Sequence, residues 1–232
     1  MEGTVSQRTR PEGRKQPSLT SERAARSIRA MEELIRLKDG QRARLRPVTV
    51  ADARAVCALD RALVEAGVGM VLTEDDLPEG PAAELEEVKA RLERHQGAKG
   101  AWLLAEGEGG DPPVLAQAGI SRLGPGLLRH VAVLDVGVHP SAQGLGLGRA
   151  LMERAIHWAT AGAGATPPAV SRLELYVRAD NPRARRLYAS LGFEVEGVRR
   201  GFVRTPEGAF VDDLVMARLL ETGTQRHTRK ST

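Results

Sequence analysis

The chain has 232 residues, of which 41% are hydrophobic and 28% charged, a composition typical of a globular protein with a sizeable core. No apolar run approaches the roughly 18 residues that a membrane helix needs, and the polar, Arg-rich first residues lack the apolar centre of a secretory signal. The single cysteine, Cys57, excludes an intrachain disulfide, so we expect a cytoplasmic protein in which Cys57 packs in the core.

The net charge of +4 is unevenly distributed along the chain. Residues 1–46 carry 12 Lys and Arg against 6 Asp and Glu, and residues 222–232 carry 3 against 0. The remaining body, residues 47–221, holds 19 basic and 24 acidic side chains, a net charge of −5. An acidic body argues against nucleic acid as its main partner and suits a cationic amine. We expect the basic ends to be solvated tails.

The chain divides into three predicted segments. Residues 1–42 are a basic, partly disordered extension, with a helix predicted over 18–38 because apolar residues recur there at helical spacing before Gly40. Residues 43–221 form the folded domain, and residues 222–232 are a basic, disordered tail.

The folded domain begins with a short strand and two helices. Residues 45–48 alternate as a strand, Thr49 and Asp52 form a capping pair, and apolar spacing predicts a first helix from there. A second helix is predicted over 81–95, after a loop that carries an acidic run.

The middle of the domain reads as three strands without an intervening helix. Two strands join at a turn over 107–111, and a third covers 131–138. Such a succession indicates an antiparallel meander. A helix predicted over 146–161 then leads to an alternating segment at 171–181, which should lie parallel to the 131–138 strand because a crossover helix joins them.

A glycine-rich turn follows the 131–138 strand and opens the next helix. It spells Gln143, Gly144, Gly146 and Gly148, so several unobstructed backbone N–H groups meet a helix N-terminus, which suits a pyrophosphate. Arg149 excludes both a Walker A loop and the dinucleotide fingerprint.

A second motif lies in the segment after the 171–181 strand. Asn181 and Pro182 are suited to a helix start and Gly192 to its stop. The order Asn181, Ala184, Leu187, Tyr188, Leu191, Gly192, Phe193 resembles the closing motif of the GNAT superfamily of N-acetyltransferases, and Gln143-x-x-Gly146-x-Gly148 resembles its acyl-CoA loop. A final hairpin is predicted to turn at 206–208.

The resemblance spans roughly residues 43–221 and implies the α/β GNAT fold. That fold has a mixed, mostly antiparallel central sheet with helices on both faces, and one parallel strand pair that splays apart. It also implies an acetyl-CoA-dependent N-acetyltransferase, similar to bacterial enzymes acting on amino acids or small amines and to the ribosomal-protein alanine acetyltransferases. Implied cofactor-binding residues are Val136, Gly137, Val138, Gln143, Gly144, Leu145, Gly146, Leu147, Gly148, Arg149, Asn181 and Tyr188.

The chemistry of acetyl transfer assigns roles to a few of these residues. Backbone groups of Val136 to Val138 would pair with the pantetheine arm, and by resemblance the Val138 N–H is the candidate oxyanion donor. Tyr188 is the candidate general acid, because a phenol can protonate a departing thiolate at modest cost, and core packing is the alternative.

The general base is less defined by the sequence. Glu174 lies on the strand beside the cleft and is our candidate, directly or through water, against a purely structural role. Asp135, unusual in a strand expected to be buried, is the other residue that could face the substrate. Ribosomal-protein relatives resemble this chain except that a glutamate stands at the position of Tyr176, which weakens the protein N-terminus interpretation. His130 and His139 lack paired ligand spacing, so no metal is expected.

Three function hypotheses follow from the sequence. The first is an acetyl-CoA-dependent enzyme that acetylates a small amine or amino acid by direct attack in a ternary complex, with peptide N-termini as the enzymatic alternative. The second is a non-catalytic acyl-CoA-binding module that regulates a partner. The third, nucleic-acid binding by the basic ends, would appear as salt-sensitive binding lost without residues 1–42. A homodimer is compatible with all three, and no membrane partner is expected.

Overall fold

The computed structural model describes residues 32–67, 69, 71–109, 112–160 and 169–220. They form one mixed sheet of eight strands in the order β1-β2-β3-β4-β5-β6-β8-β7. The strands are β1 Glu33–Arg36, β2 Arg42–Pro47, β3 Gly100–Gly107, β4 Val114–Arg122, β5 Val131–Val138, β6 Arg172–Arg178, β7 Glu194–Arg204 and β8 Phe210–Leu219. All neighbouring strands are antiparallel except β5 and β6, as predicted.

Four α-helices in the described part of the chain cover the two faces of the sheet. They are α1 Ala53–Ala66, α2 Gly80–Arg94, α3 Leu147–Thr160 and α4 Pro182–Ser190. On one face, α1 and α2 pack with Trp102, Leu104 and neighbouring apolar residues. On the other face, α3 and α4 bury a larger apolar cluster that includes Trp158. Among the described residues, no helix combines the length and apolar character needed to cross a membrane.

The capping signals in the sequence act as predicted. Thr49 and Asp52 form a reciprocal capping box around the 3-10 turn Val50–Asp52 that leads into α1. Asn181 caps α4 by accepting a hydrogen bond from the Ala184 N–H at 3.0 Å. Cys57 is buried in α1, where desolvation raises the pKa of its thiol to about 11, so it is a packing residue rather than a reactive thiol.

The helix predicted over 18–38 is wrong at its C-terminal end. Residues Glu33–Arg36 form an edge strand that pairs antiparallel with β2, and residues 18–31 lie outside the described part of the chain. The chain reverses between the two strands through Gly40, whose φ of 91° suits a glycine. Pairing with β2 therefore overrides the local helical spacing, and the sheet begins about ten residues before the predicted domain boundary at 43.

Candidate active site

The parallel pair β5–β6 separates part of the way along β5. Only three residue pairs are in register, Val131 with Arg172, Ala132 with Leu173 and Val133 with Glu174. Beyond Val133, β5 stays paired with β4 alone, through Ala116 opposite Val138. A wedge-shaped gap therefore opens between β5 and β6 beside the second half of β5.

Backbone groups of β5 point into this gap. The His139 N–H donates to the Leu115 carbonyl of β4 at 2.8 Å. Because successive N–H groups of a strand alternate between its two edges, those of Val138 and Val136 point away from β4, towards the gap. They can bind an extended chain as an added strand.

The glycine loop, residues 143–148, follows β5 at the open end of the gap and leads into α3. Gly144 and Gly146 adopt φ angles of 92° and 100°, which residues with a β-carbon rarely adopt. Among the described residues, none accepts a hydrogen bond from the backbone N–H groups of residues 144–149. These amides lie at the positive end of a helix dipole, an arrangement that suits an anion such as a diphosphate.

Two arginines near this loop have different surroundings. Arg149 donates to the Ser190 hydroxyl at 2.5 Å and to Glu153 at 3.3 Å, so its side chain is held against α4 and its own helix. Arg183 donates to Gln143 at 2.9 Å, and its Nη2 atom would lie 3.3 Å from a β-carbon on Gly144. Arg183 was not among the residues predicted from the sequence, where the cluster of arginines that opens α4 is the signal that points to it.

Gln143 and Asn181, both predicted to bind cofactor, also have structural partners. The Gln143 amide donates to the Val138 carbonyl at 3.4 Å and so links the loop to the end of β5. The Asn181 carbonyl oxygen caps α4, and its Nδ2 atom would lie 2.6 Å from a β-carbon on Gly69.

The remaining predicted loop residues contribute through the backbone. The Leu147 side chain is buried in the core, and Leu145 packs against it, so only their main-chain groups are available to a ligand. Gly137 lies under α1, where a β-carbon would come within 2.6 Å of Leu63 Cδ1. A side chain at position 137 would therefore displace the wall of the cleft.

Tyr188 lies in α4 and is 6% exposed, with its ring 6.3 Å from that of Phe193. No described residue forms a hydrogen bond with its hydroxyl. Burial raises the pKa of Tyr188, and the negative charge of Asp135 adds to the increase. The phenol is thus protonated at neutral pH and holds a proton that it can donate.

Glu174 lies on the other face of the sheet, at the last residue pair before the gap. Its carboxylate accepts hydrogen bonds from the Tyr176 hydroxyl at 2.6 Å and from Arg172 at 2.9 Å. The bond to Glu174 raises the pKa of Tyr176, so this phenol stays a donor. Both carboxylate oxygens of the predicted base are therefore engaged within the protein.

These features define the class of protein. The sequence model of the acetyltransferase (GNAT) family matches residues 70–193, and the chain belongs to this family. Its glycine loop and its splayed strand pair both lie within the matched residues.

Similar proteins include several acetyltransferases. Over 91 residues, 39% of this chain and 52% of the relative, it is 37% identical to the N-alpha-acetyltransferase RimI of Mycobacterium tuberculosis. It is 46% identical over 65 residues to the mycothiol acetyltransferase of Rothia mucilaginosa, covering 28% of this chain and 18% of the relative. The chain thus spans about half the length, or less, of these curated relatives.

A solved structure shares the fold along most of the chain. The acetyltransferase yncA from Salmonella typhimurium, described with its cofactor acetyl-CoA, aligns with a TM-score of 0.64 and 22% identity. The alignment covers 80% of this chain and 98% of that structure. At this identity the likeness concerns the fold alone.

Proposed function

We propose that this protein is an acetyl-CoA-dependent N-acetyltransferase that acetylates the primary amine of a small molecule or amino acid by direct attack in a ternary complex. One observation carries the proposal: unpaired amides of a glycine loop and of β5 line a single gap between two parallel strands. A diphosphate followed by an extended amide-containing arm needs these two kinds of donor in this order.

The residues present fit acetyl-CoA. The N–H groups from Gly144 to Arg149 would bind the diphosphate, with the Arg183 side chain beside Gly144 adding charge. The N–H and carbonyl groups of Val136 and Val138 would hold the pantetheine arm, with Gly137 between them paired to β4, and Asn181 would contact the same arm. Acetyl-CoA supplies an activated thioester, and the predicted oxyanion donor is the Val138 N–H.

Tyr188 is the proposed general acid. Its hydroxyl is protonated and desolvated, and at the α4 side of the gap it would donate its proton to the departing sulfur. Glu174 remains the predicted general base from the sequence; in the structure its oxygens are shared with Arg172 and Tyr176.

A peptide or protein N-terminus is the second candidate acceptor. The name of the Mycobacterium tuberculosis relative favours this candidate, and the mycothiol acetyltransferase name favours a small molecule. The two candidates separate when CoA release is measured with simple amines, free amino acids and peptides. Selective release with peptides would favour the N-terminal acetyltransferase.

Replacing Tyr188 with Phe tests the catalytic proposal. We expect kcat to fall by about 100-fold or more, because general acid catalysis contributes about 10² to 10⁴ to the rate. The dissociation constant of acetyl-CoA, measured by calorimetry, should change less than about threefold, because the ring and its packing are kept.

Two outcomes would contradict the proposal. Wild-type protein that gives no calorimetric signal with acetyl-CoA would refute the binding site. Wild-type protein that binds acetyl-CoA but acetylates no amine, amino acid or peptide would favour the non-catalytic module instead.

A further inference from the structure

Asp135 keeps solvent-accessible surface although β5 is an inner strand of the sheet, while the surrounding protein partly desolvates its carboxylate. Its neighbours Ala132 and Leu134 pack into the α3–α4 core, so alternation along β5 directs Asp135 to the α1–α2 face. Its partner in β4 is Gly119, and a β-carbon on Gly119 would lie 2.5 Å from the Asp135 Oδ2 atom. The carboxylate therefore occupies space that any other residue at position 119 would fill.

His95 reaches the same point from the end of α2. Its Nε2 atom would lie 3.0 Å from the same β-carbon position on Gly119. Its Nδ1 atom lies 2.7 Å from the Arg91 carbonyl, which places the ring hydrogen of the neutral form on Nδ1 and leaves the Nε2 lone pair free. Trp102 holds the ring from one side, with centroids 5.9 Å apart.

Asp135 and His95 thus flank one small space above Gly119 without a direct ion pair between them. No described side chain donates a hydrogen bond to the Asp135 carboxylate. An amine nitrogen placed over Gly119 could contact both a carboxylate oxygen and an imidazole nitrogen. Glu174, by contrast, already accepts hydrogen bonds on both oxygens.

The other charged groups around this space are paired. From α1, Asp60 accepts from Arg91 at 2.7 Å and from the Gln117 amide at 2.5 Å. The Arg91 guanidinium also lies over the Trp102 ring at 4.1 Å. Asp135 is therefore the carboxylate of this cluster that is open to a cationic ligand.

The electrostatic surroundings make Asp135 more basic than an ordinary aspartate. Desolvation by the walls of the cleft raises the pKa of Asp135, and the charge of Asp60 acts in the same direction. The positive charges of His95 and Arg91 and a hydrogen bond from the Gly119 backbone N–H oppose this increase. Desolvation lowers the pKa of His95, with the Arg91 and Arg94 charges adding, while the Asp135 charge acts to raise it.

We propose that Asp135 binds the ammonium group of the acceptor above Gly119 and takes its proton, and that His95 carries this proton towards solvent. This assignment rests on the proposed acetyltransferase function. Asp135 and His95 are then both catalytic residues, because both handle the proton that leaves the amine. The acceptor is defined by its chemistry: a primary amine that is cationic before it binds.

The proton and electron balance of the reaction is complete. One N–H bond of the ammonium breaks, the proton joins Asp135 Oδ2 and then passes through a bridging water molecule to His95 Nε2, and the nitrogen regains its lone pair. That pair forms the N–C bond to the thioester carbonyl, the C–S bond breaks, and sulfur receives the Tyr188 proton. The second proton leaves nitrogen through the same pair, and Tyr188 is reprotonated from solvent.

The general base Asp135 and the general acid Tyr188 approach the gap from opposite faces of the sheet. Asp135 faces α1 and α2, whereas Tyr188 belongs to the core on the α3–α4 side. An acid and a base on opposite sides of the gap can serve the leaving sulfur and the attacking nitrogen at the same time.

Two probe amines test the assignment in the full-length protein. Ethylamine is almost wholly protonated at neutral pH, whereas trifluoroethylamine is mostly a free amine. For Asp135→Asn we expect kcat/KM with ethylamine to fall about 100-fold or more and with trifluoroethylamine less than about fivefold. With ethylamine, the residual activity of the variant should rise with pH as free amine accumulates. Asp39→Asn, at an exposed turn, is the matched control and should change neither value.

Two further variants test the space above Gly119 and the titration of His95 separately. Gly119→Ala places a methyl group between Asp135 and His95 and should raise KM for ethylamine while acetyl-CoA binding stays unchanged. His95→Gln should flatten the acidic limb of the pH profile of kcat/KM. Independently of turnover, an NMR titration should show the pKa of His95 moved lower in Asp135→Asn, because the Asp135 charge acts to raise it.

The results have distinct meanings. Equal losses with both amines in Asp135→Asn, or an unmoved His95 titration, would overturn the assignment while leaving the acetyltransferase intact. A selective loss of ethylamine activity in Glu174→Gln instead would make Glu174 the base. Wild-type protein that binds acetyl-CoA but acetylates no acceptor would overturn both the function and this assignment.

Discussion

Single residues near the start of the domain show how one side chain can join several elements. Arg46 donates to both oxygens of Asp52, at 2.8 and 2.7 Å, and to Glu106 at 3.1 Å. The Thr49 N–H and hydroxyl also donate to Asp52. The sequence predicted the local pair Thr49–Asp52 but not the arginine, because Arg46 lies on the preceding strand.

Asp52 should therefore stabilise the fold in a pH-dependent way. Burial opposes its ionisation, but the hydrogen bonds from Arg46 and Thr49 outweigh this, so the pKa of Asp52 lies below its usual 3.8. A lowered pKa stabilises the native state above about pH 4, and the effect is lost as pH falls through the native pKa. Asp52→Asn should lower the free energy of unfolding by about 2 kcal/mol at pH 7 in urea titrations.

The chain offers a matched control for this substitution. Thr73 and Asp76 form the same capping box around an exposed 3-10 turn, without an arginine partner. Asp76→Asn should reduce stability much less than Asp52→Asn. Equal losses would mean that the box, and not Arg46, accounts for the effect. The wild-type and Asp52→Asn stabilities should also converge as pH falls through the native pKa of Asp52, which lies below 3.8.

At the scale of elements, the glycine loop combines backbone strain with ligand binding. Gly146 has a φ of 100°, and a β-carbon placed on it would have no atom within 4 Å, so its requirement for glycine is conformational and not steric. Gly124 has equally open space but no positive φ. Comparing alanine substitutions at Gly146 and Gly124 therefore measures the effect of the positive φ alone.

Gly146→Ala should therefore weaken both the fold and the site. An L-residue in this conformation costs about 1 to 2 kcal/mol, and relaxation of the loop would turn its amides away from the diphosphate. We expect the dissociation constant of acetyl-CoA to rise about tenfold by calorimetry, with a lower midpoint of thermal unfolding. Gly124→Ala should leave both values nearly unchanged. Unaltered acetyl-CoA binding in Gly146→Ala would contradict the proposed diphosphate site.

At the scale of the whole molecule, the β1–β2 hairpin is part of the domain. Leu37 is 4% exposed and belongs to the larger core, and the Lys38 N–H donates to the Leu145 carbonyl at 3.2 Å. Arg154 of α3 also forms an ion pair with Glu33. The hairpin thus contacts both the glycine loop and α3. The predicted domain boundary at residue 43 excluded it from the domain.

Substitutions of two leucines test how much the β1–β2 hairpin contributes to the free energy of unfolding. Leu37→Ala should lower the free energy of unfolding by about 2 to 4 kcal/mol, because it leaves a cavity in the core. Leu34→Ala, at a side chain that is 52% exposed, should change it by less than about 0.5 kcal/mol. Similar small effects for both would show that residues 33–38 contribute little to the fold, against the observed pairing.

Features that depend on neighbours in the chain were predictable from the sequence. The strand alternation, the Thr49–Asp52 cap, the glycine loop at the start of α3 and the cap of α4 at Asn181 all follow from local backbone geometry. The parallel β5–β6 pair was also predictable, because a crossover helix between two strands of one sheet has few alternatives.

Long-range register decided the rest. Residues 33–36 became a strand because β2 presented an edge to pair with, and their helical spacing could not reveal that edge. His95, Gly119 and Asp135 come from α2, β4 and β5, and they meet only because the register sets Gly119 opposite Asp135 while α2 ends above both. The sequence by itself determined where the backbone could bind a diphosphate, since a helix start with glycines is a local property. Only the tertiary structure decided which carboxylate is open to an amine, since that depends on which partners surround each carboxylate.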